Sequence, residues 1–544
     1  MSDTTLETIP ALQPHPKGLR GMIEKVKQIF GLAPKKTGNN LVINCERLET
    51  RVALIENGRL EEYSIERDND RNIVGSIFKG KVKNIEHGLK AMFVDIGFEK
   101  NAFLHFWDAL PAALDSGVEE VSRTNSKSKS NITSKDIPNI YPVGADVIVQ
   151  VTKGPISSKG PRITTNISLA GRYLVLMPYS DQSGISRKVD EPKERERLRK
   201  ILQELDVPEG MGVIMRTVGE GQRARYFVRD LSLLVEQWRK IEQAMQDQPG
   251  GTCLFREPDL IDRTVRDFLT DEIDSVFCDD LNATNRMKDL VGQISRRARN
   301  RIEHYSEPYP IFERYGVQKQ IDDAFHRQVW LKCGGYIVID ETEALIAIDV
   351  NTGRNKGSKE MDKTILTTNL EAADEIARQL RLRNIGGLII GDFIDMKSRK
   401  DQQMVYQRMK ERLRRDKSKT HVLPISPLGL MEMTRQRAQE SLSGSIFIPC
   451  PYCSGRGKVK SAMTMSVELQ RQLHLVMRKY QDDIHEIRVV VNPEVLKRLR
   501  NEDEDLLVDI ERKYAGRLSF RGDPTYHHEQ FTISDALHNT ELKP

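Results

Sequence analysis

Apolar residues along this chain recur with two periods, and the switches between them lay out its elements. The runs Leu41-Val42-Ile43 and Val52-Ala53-Leu54-Ile55 predict paired strands beginning near Asn39. A second set of short apolar runs, within 73–82, 91–97, 101–104 and 144–151, is punctuated by glycine and predicts a small barrel. Strand-like runs at 173–177 and 212–217 alternate with charged helical stretches, one containing Trp238, so about 166–260 reads as an α/β block. Residues 261–325 read as mostly helical and rich in arginine, including Arg296, Arg297, Arg299 and Arg301. Further on, 336–340 and 344–351 predict a hairpin, and Ile365, Leu366, Leu370, Ala373, Ile376 and Leu380 mark one face of a helix over roughly 361–383. Residues 386–396 then read as a buried strand ending in carboxylates. Strand, helix, strand at this spacing is a crossover unit with its acids at the carboxyl ends of strands, where open α/β sheets place their sites. Residues 460–544 predict a small α/β appendage.

Between these elements the polar segments carry less information. Residues 1–38 are dotted with Pro and Lys and read as a flexible tail, in which Leu19, Ile23, Val26 and Phe30 give a basic amphipathic helix. A membrane-surface or partner contact through 19–30 fits that pattern, but packing on its own protein is the commoner meaning. The low-complexity stretch 122–136 belongs in a mobile surface loop. The N-terminus lacks a signal-peptide pattern, and no run approaches the roughly 18 apolar residues of a membrane span. A length of 544 residues predicts about three or four domains. The 84 Lys+Arg against 79 Asp+Glu leave a net charge of only +5, so nucleic-acid binding has to be argued from local clusters and not from bulk charge. Of the six cysteines, 45, 253, 278 and 333 read as lone small hydrophobes, and only Cys450 and Cys453 form a spaced pair. A reducing cytoplasm is the default expectation.

Four features carry candidate chemistry. Asp349 and Asp392 each end an apolar run, where an unpaired carboxylate is costly unless a cation matches it. Two such acids with no neighbouring histidine suit an oxygen-liganded hard cation, Mg²⁺ above all, and Asn351 is placed to orient one of them. The plain alternative is a pair of strand-end acids capping loops or meeting arginine. Cys450-Pro451-Tyr452-Cys453 followed by Gly455 and Gly457 has the form of half a zinc site, which a symmetric dimer would complete. A redox pair or a reduced structural pair are its other readings. Phe93 and Phe103, with Lys79, Lys81 and Lys159 near them in the barrel block, suit a stacking surface for a single strand, although strand phenylalanines are more often core. Finally, residues 397–419 carry ten Lys/Arg against three Asp/Glu, either a solvated face or a place for a polyanion.

Together these motifs resemble the ribonuclease E/G family. The likeness rests on Ala347-Ile348-Asp349-Val350-Asn351, the helix from Asn369 to Arg383, the segment from Gly386 to Met396, and the Cys-Pro-x-Cys-x-Gly-x-Gly turn at 450–457. It runs from about residue 39 to about 535. The resemblance implies a multidomain α/β fold: a tail (1–38), an RNase H-like subdomain (39–72 plus 262–324), an S1-type OB barrel (73–165) with a polar insertion at 108–142, a 5′-sensor α/β domain (166–261), a DNase I-like catalytic domain (325–446), a zinc link (447–459) and a small dimer-contact domain (460–544). It further implies a Mg²⁺-dependent endoribonuclease acting on single-stranded RNA in ribosomal RNA processing and mRNA decay. Asp349 and Asp392 match the metal-binding aspartates and Asn351 their orienting asparagine. Arg216, Thr217, Gly171 and Val175 match the 5′-monophosphate pocket, where the family's further arginine falls at Lys419, and Phe93, Phe103 and Lys159 match RNA contacts. Cys450 and Cys453 match the cysteines that share a Zn²⁺ between two protomers of a homotetramer. The chain ends after the small domain, which looks closer to the shorter, G-type members. The alternative is a non-catalytic RNA-binding or filament-forming scaffold with the same fold.

Overall fold

The structure, a computed structural model, describes residues 38–543 except 68–72, 112–116, 122–132, 156–159, 190, 271, 295, 354–360, 437–440, 481–482 and 484–485; the side chains of 293–297 and 445 are likewise not described. The tail with its amphipathic pattern, most of the low-complexity stretch, Lys159 and the side chains of Arg296 and Arg297 therefore lie outside the described residues. The chain divides into two compact units, meeting in sequence between Ser445 and Ile446. No helix among the described residues is long and apolar enough to cross a membrane.

The first unit is built on four sheets. Asn39–Cys45, Glu49–Glu56 and Arg59–Arg67 form an antiparallel meander. Its second turn is Asn57-Gly58, both at positive φ (49° and 80°), as a two-residue hairpin on twisted strands requires. Ser275–Cys278 and Ile302–His304 add to Asn39–Cys45 in parallel, so one five-stranded sheet joins segments more than 200 residues apart. Helices Leu260–Phe268 and Leu281–Ile294 cover it with Leu260, Val265, Met287 and Val291.

Between those segments the chain builds the barrel. Ile77–Glu86, Ala91–Asp95, Ala102–His105, Arg162–Thr164 and Asp146–Lys153 pair in that order, and the last pairs back to the first, closing five strands as an OB-like fold does. Met92, Val94, Ala102, Leu104, Val149 and Ile163 fill its interior. A third sheet has the order Leu169–Ala170, Leu174–Met177, Gly212–Met215, Gly184–Ser186 and Val118–Glu120. Phe227, Leu231, Leu234, Trp238 and Ile241, spaced four and three apart on helix Ala224–Asp247, pack on its core. The polar insertion expected at 108–142 contributes a strand, Val118–Glu120, to the third sheet. The strand pairs with Gly184–Ser186, Val121 is buried in the third sheet's core, and Glu119 meets Arg195 and Arg199.

The fourth sheet runs Gln328–Trp330, Tyr336–Glu341, Leu345–Asn351, Gly387–Asp392, Leu430–Arg435 and Thr420–Val422. Helix Met361–Leu382 connects Leu345–Asn351 to Gly387–Asp392, which lie parallel, giving the expected crossover. Helices Met361–Leu382 and Arg399–Leu413 cover one face only, over Ile346, Ile348, Val350 and Ile389. The strand ending at Asp392 is thus buried on one side: Leu388, on the other face, is 43% exposed. The second unit is a three-stranded sheet, Arg517–Gly522, Glu486–Val491 and Phe531–Asp535, packed with helices Ala462–Tyr480, Pro493–Asn501 and Glu504–Tyr514.

Candidate active site

Strand periodicity decides where the two aspartates point. In Leu345–Asn351 the even positions Ile346, Ile348 and Val350 are buried, so Asp349 and Asn351 stand on the uncovered face. In Gly387–Asp392 the same alternation buries Ile389 and Gly391 and turns Asp392 outward. The parallel register pairs Asp349 directly with Asp392. Adjacent strands lie about 4.8 Å apart, so two carboxylates stand side by side on an exposed sheet face. The expectation that burial makes these acids costly is corrected: both are exposed, and what distinguishes them is their register as direct neighbours. Asn351 Nδ2 donates to Asp349 Oδ2 at 2.8 Å, and among the described residues Oδ1 takes no hydrogen bond. Among the described residues no Lys or Arg forms an ion pair with either aspartate. Oxygen donors and no thiol or imidazole make this pair a fit for a hard divalent cation.

One residue of this site escaped the sequence reading. Asn369, fully buried on helix Met361–Leu382, donates from Nδ2 to the Ile394 carbonyl at 2.8 Å and accepts the Ile394 N–H on Oδ1 at 3.1 Å. Both backbone groups of the residue two past Asp392 are thereby held from the helix. Asn369 is one of several buried polar residues of this helix, with Thr368, Glu375 and Gln379, so polarity within the helical stripe alone would not have singled it out.

The residues matched to a 5′-phosphate pocket also converge. Arg216 Nη1 donates to the Gly171 carbonyl at 2.6 Å and Nη2 to Asp267 at 2.7 Å. Val175 lies on the strand paired with Gly212–Met215, and Thr217 opens the turn after Arg216. Gly171 has no room for a side chain, since an added Cβ would sit 2.6 Å from Asp230 Oδ2. Asp230 accepts the N–H groups of Arg172, Tyr173 and Leu174, fixing the loop that carries the Gly171 carbonyl; burial nevertheless pushes its carboxyl up. Burial also opposes the charge on Asp267, but Arg216 and Arg266 outweigh it and hold that carboxyl below its usual range. Lys419 stands exposed at the start of an edge strand, its carbonyl accepting from Gln436 N–H. Lys417, unassigned from sequence, is the lysine whose ammonium lies over the Phe268 ring, next to Asp267 in sequence.

In the barrel, Phe93 and Phe103 are register partners on neighbouring strands, their rings edge to face at 5.9 Å. Both are half-buried and alternate with the interior residues Met92, Val94, Ala102 and Leu104, so they face outward and not into the core. Lys79 does not join them. Its Nζ donates to the carbonyls of Met245 and Gln248, closing the C-terminus of helix Ala224–Asp247. Part of the basic run at 397–419 is also spent internally: Arg408 and Arg412 both fork onto Asp374, and Arg415 pairs with Glu56.

In the second unit, Cys450 and Cys453 sit in a tight turn with Ser454, Gly455 and Gly457 at positive φ. The N–H of Gly457 donates to Cys453 Sγ at 3.2 Å, and the N–H groups of Cys453 and Tyr452 lower the exposed Cys450 thiol. N–H donors aimed at both sulfurs favour thiolate character, the donor type that a soft cation takes.

Known proteins resemble this chain in sequence. The profile described as "Ribonuclease E/G family" matches residues 168–438, and that described as "RNase E/G, Thioredoxin-like domain" matches 449–536. Ribonuclease G of Salmonella typhimurium is 38% identical over 493 residues, covering 91% of this chain and 99% of that protein, and ribonuclease G of Escherichia coli K12 gives the same figures. Ribonuclease E of Haemophilus influenzae is 37% identical over 479 residues, 87% of this chain and 49% of that protein. With a relative of this identity spanned almost end to end, the chain belongs to the ribonuclease E/G family.

Proposed function

We propose that this endoribonuclease cleaves single-stranded RNA with the help of Mg²⁺ held by Asp349 and Asp392, and favours RNA bearing a 5′-monophosphate. The observation that carries the reading is the in-register pair of carboxylates on the open sheet face. A hard divalent cation bound there supplies positive charge for the phosphate oxygens of the transition state and acidifies a water. Asn351 fixes which Asp349 oxygen stays free, and Asn369 keeps the backbone after Asp392 in place. In the hydrolysis, water adds to phosphorus in line, the bond to the 3′ oxygen breaks, and the products carry a 3′-hydroxyl and a 5′-phosphate.

The outward faces of Phe93 and Phe103 offer a stacking platform for bases, and Lys159, matched to an RNA contact, would add charge to that binding. Arg216, Thr217, Gly171 and Val175 form the pocket for the terminal phosphate, with Lys419 near in function. Cys450 and Cys453 hold Zn²⁺ jointly with the same pair of a second copy, and two such dimers make a tetramer. Ribosomal RNA maturation and mRNA decay in the cytoplasm are the settings that suit this activity. Cleavage of a short 5′-monophosphorylated RNA by the full chain should stop in EDTA and return with Mg²⁺. Unimpaired cleavage in EDTA would sink the metal assignment, and RNA binding without any Mg²⁺-restored cleavage would favour the scaffold reading.

A further inference from the structure

Two cysteines that read as isolated small hydrophobes meet in the first sheet. Cys45 ends the strand Asn39–Cys45, and Cys278 ends the parallel neighbour Ser275–Cys278, in register with Ile43. Their sulfurs lie 3.8 Å apart. The next residue, Asp279, brings a carboxylate oxygen so that the three donor atoms all lie within 4.8 Å of one another. A tetrahedral ion with metal–sulfur bonds of about 2.3 Å spaces its sulfurs about 3.8 Å apart, whereas a disulfide needs about 2.05 Å.

The carboxylate is held for the purpose. Asp279 Oδ1 accepts the Cys45 N–H at 2.8 Å and Oδ2 accepts Asn44 Nδ2 at 2.7 Å. Asn44 is itself fixed by Arg51, which donates to its Oδ1 from Nε and Nη2. Each Asp279 oxygen keeps a lone pair beyond these bonds, and such outer partners are how ligating carboxylates are aimed. Cys278 is fully buried, while Cys45 and Asp279 are half-buried, so the site is walled on one side and reachable from the other.

We propose that Cys45, Cys278 and Asp279 bind a thiophilic divalent cation of the zinc class, at a site separate from the Cys450–Cys453 turn. Two thiolates and one carboxylate favour such an ion over Mg²⁺, and water fills the remaining position. Binding releases the two thiol protons as the two metal–sulfur bonds form. The ion would staple strands 233 residues apart in sequence, at the base from which the barrel and the third sheet are inserted.

The reduced, metal-free full chain carrying Cys450→Ser and Cys453→Ser is titrated with Co²⁺ and then Zn²⁺. The expected result is one thiolate-bound Co²⁺ per chain, counted from a near-ultraviolet thiolate-to-cobalt band that Zn²⁺ bleaches, and a raised melting temperature. Cys45→Ser in that background should remove most of the band and weaken binding at least about 10-fold, and Asp279→Asn should weaken binding while keeping the band. Circular dichroism of Cys45→Ser, a conservative change at a half-buried strand end, separates lost binding from lost folding. A folded chain that shows no band, or a band undiminished by Cys45→Ser, overturns the proposal. So does a chain that only forms a Cys45–Cys278 disulfide in air and takes up no metal when reduced.

Discussion

The open face of the fourth sheet and the Arg216 pocket of the third are opposite in charge and in state of completion. Asp349 and Asp392 stand together with only an amide against them among the described residues. Arg216, by contrast, already has an internal anion in Asp267 and a carbonyl in Gly171. The first arrangement sets two like charges on neighbouring strands. The second pairs unlike charges, so a phosphate proposed to arrive there would gain only what it adds to a guanidinium already oriented. On the proposed function the first would supply catalysis and the second would tune preference, and the difference orders the expected effects of breaking each.

The largest effect belongs to the aspartates. Asp349→Asn or Asp392→Asn should lower cleavage at least about 10²-fold at saturating Mg²⁺, with RNA binding in metal-free buffer unchanged. Cleavage timed on an end-labelled RNA measures it, and wild-type rates from either variant would break the contrast drawn above. Next comes the helix clamp behind them. Asn369→Leu leaves the N–H and C=O of Ile394 without their partner, at a cost of about 1–3 kcal/mol each, visible in urea unfolding. If the clamp positions Asp392, the variant should also need more Mg²⁺ for half-maximal cleavage, with KM for RNA unmoved. Loss of stability alone would make Asn369 merely structural.

The pocket should respond more mildly. Arg216→Lys keeps the charge but loses the fork that reaches Gly171 and Asp267 together. The advantage of 5′-monophosphorylated over 5′-hydroxyl RNA should fall by up to about 10-fold, roughly 1.4 kcal/mol, while cleavage of the 5′-hydroxyl RNA stays the same. An equal loss on both substrates would place Arg216 in general RNA binding instead.

What could be read from sequence divides along the same line. The crossover unit, the aspartates and Asn351 were legible because a short apolar run, a long amphipathic helix and a second run fix local geometry, and because Asn351 is two residues from its partner. Short runs with glycine between them announced a small barrel through four of its strands, but not Arg162–Thr164, whose three residues complete the closure. Contacts between distant segments left no periodic trace. Asp267 meets Arg216 across 51 residues, Lys79 closes a helix 166 residues away, and Cys45 finds Cys278 across 233. Composition misled where charges are consumed internally: Arg408, Arg412 and Arg415 looked like a polyanion surface, but they are paired with Asp374 and Glu56. Val118–Glu120 was hidden for another reason, since three residues beside a low-complexity stretch carry too little pattern to announce a strand.

The smallest expected effect tests whether the pocket is truly complete before substrate arrives. Asp267 has its carboxyl held below the usual range by Arg216 and Arg266, against the opposing effect of burial. A depressed carboxylate stabilises the fold fully above its unfolded value, near 4, and that stabilisation is lost as pH falls through the lower folded value. Asp267→Asn has no such titration. The stability difference between wild type and Asp267→Asn should therefore be constant above about pH 5 and narrow as the pH falls below about 4, as read from urea midpoints across that range. A difference that stays constant into strong acid would mean that the carboxyl titrates normally and that Arg216 stands unneutralised, in which case the contrast with the aspartate pair is one of sign and not of completion.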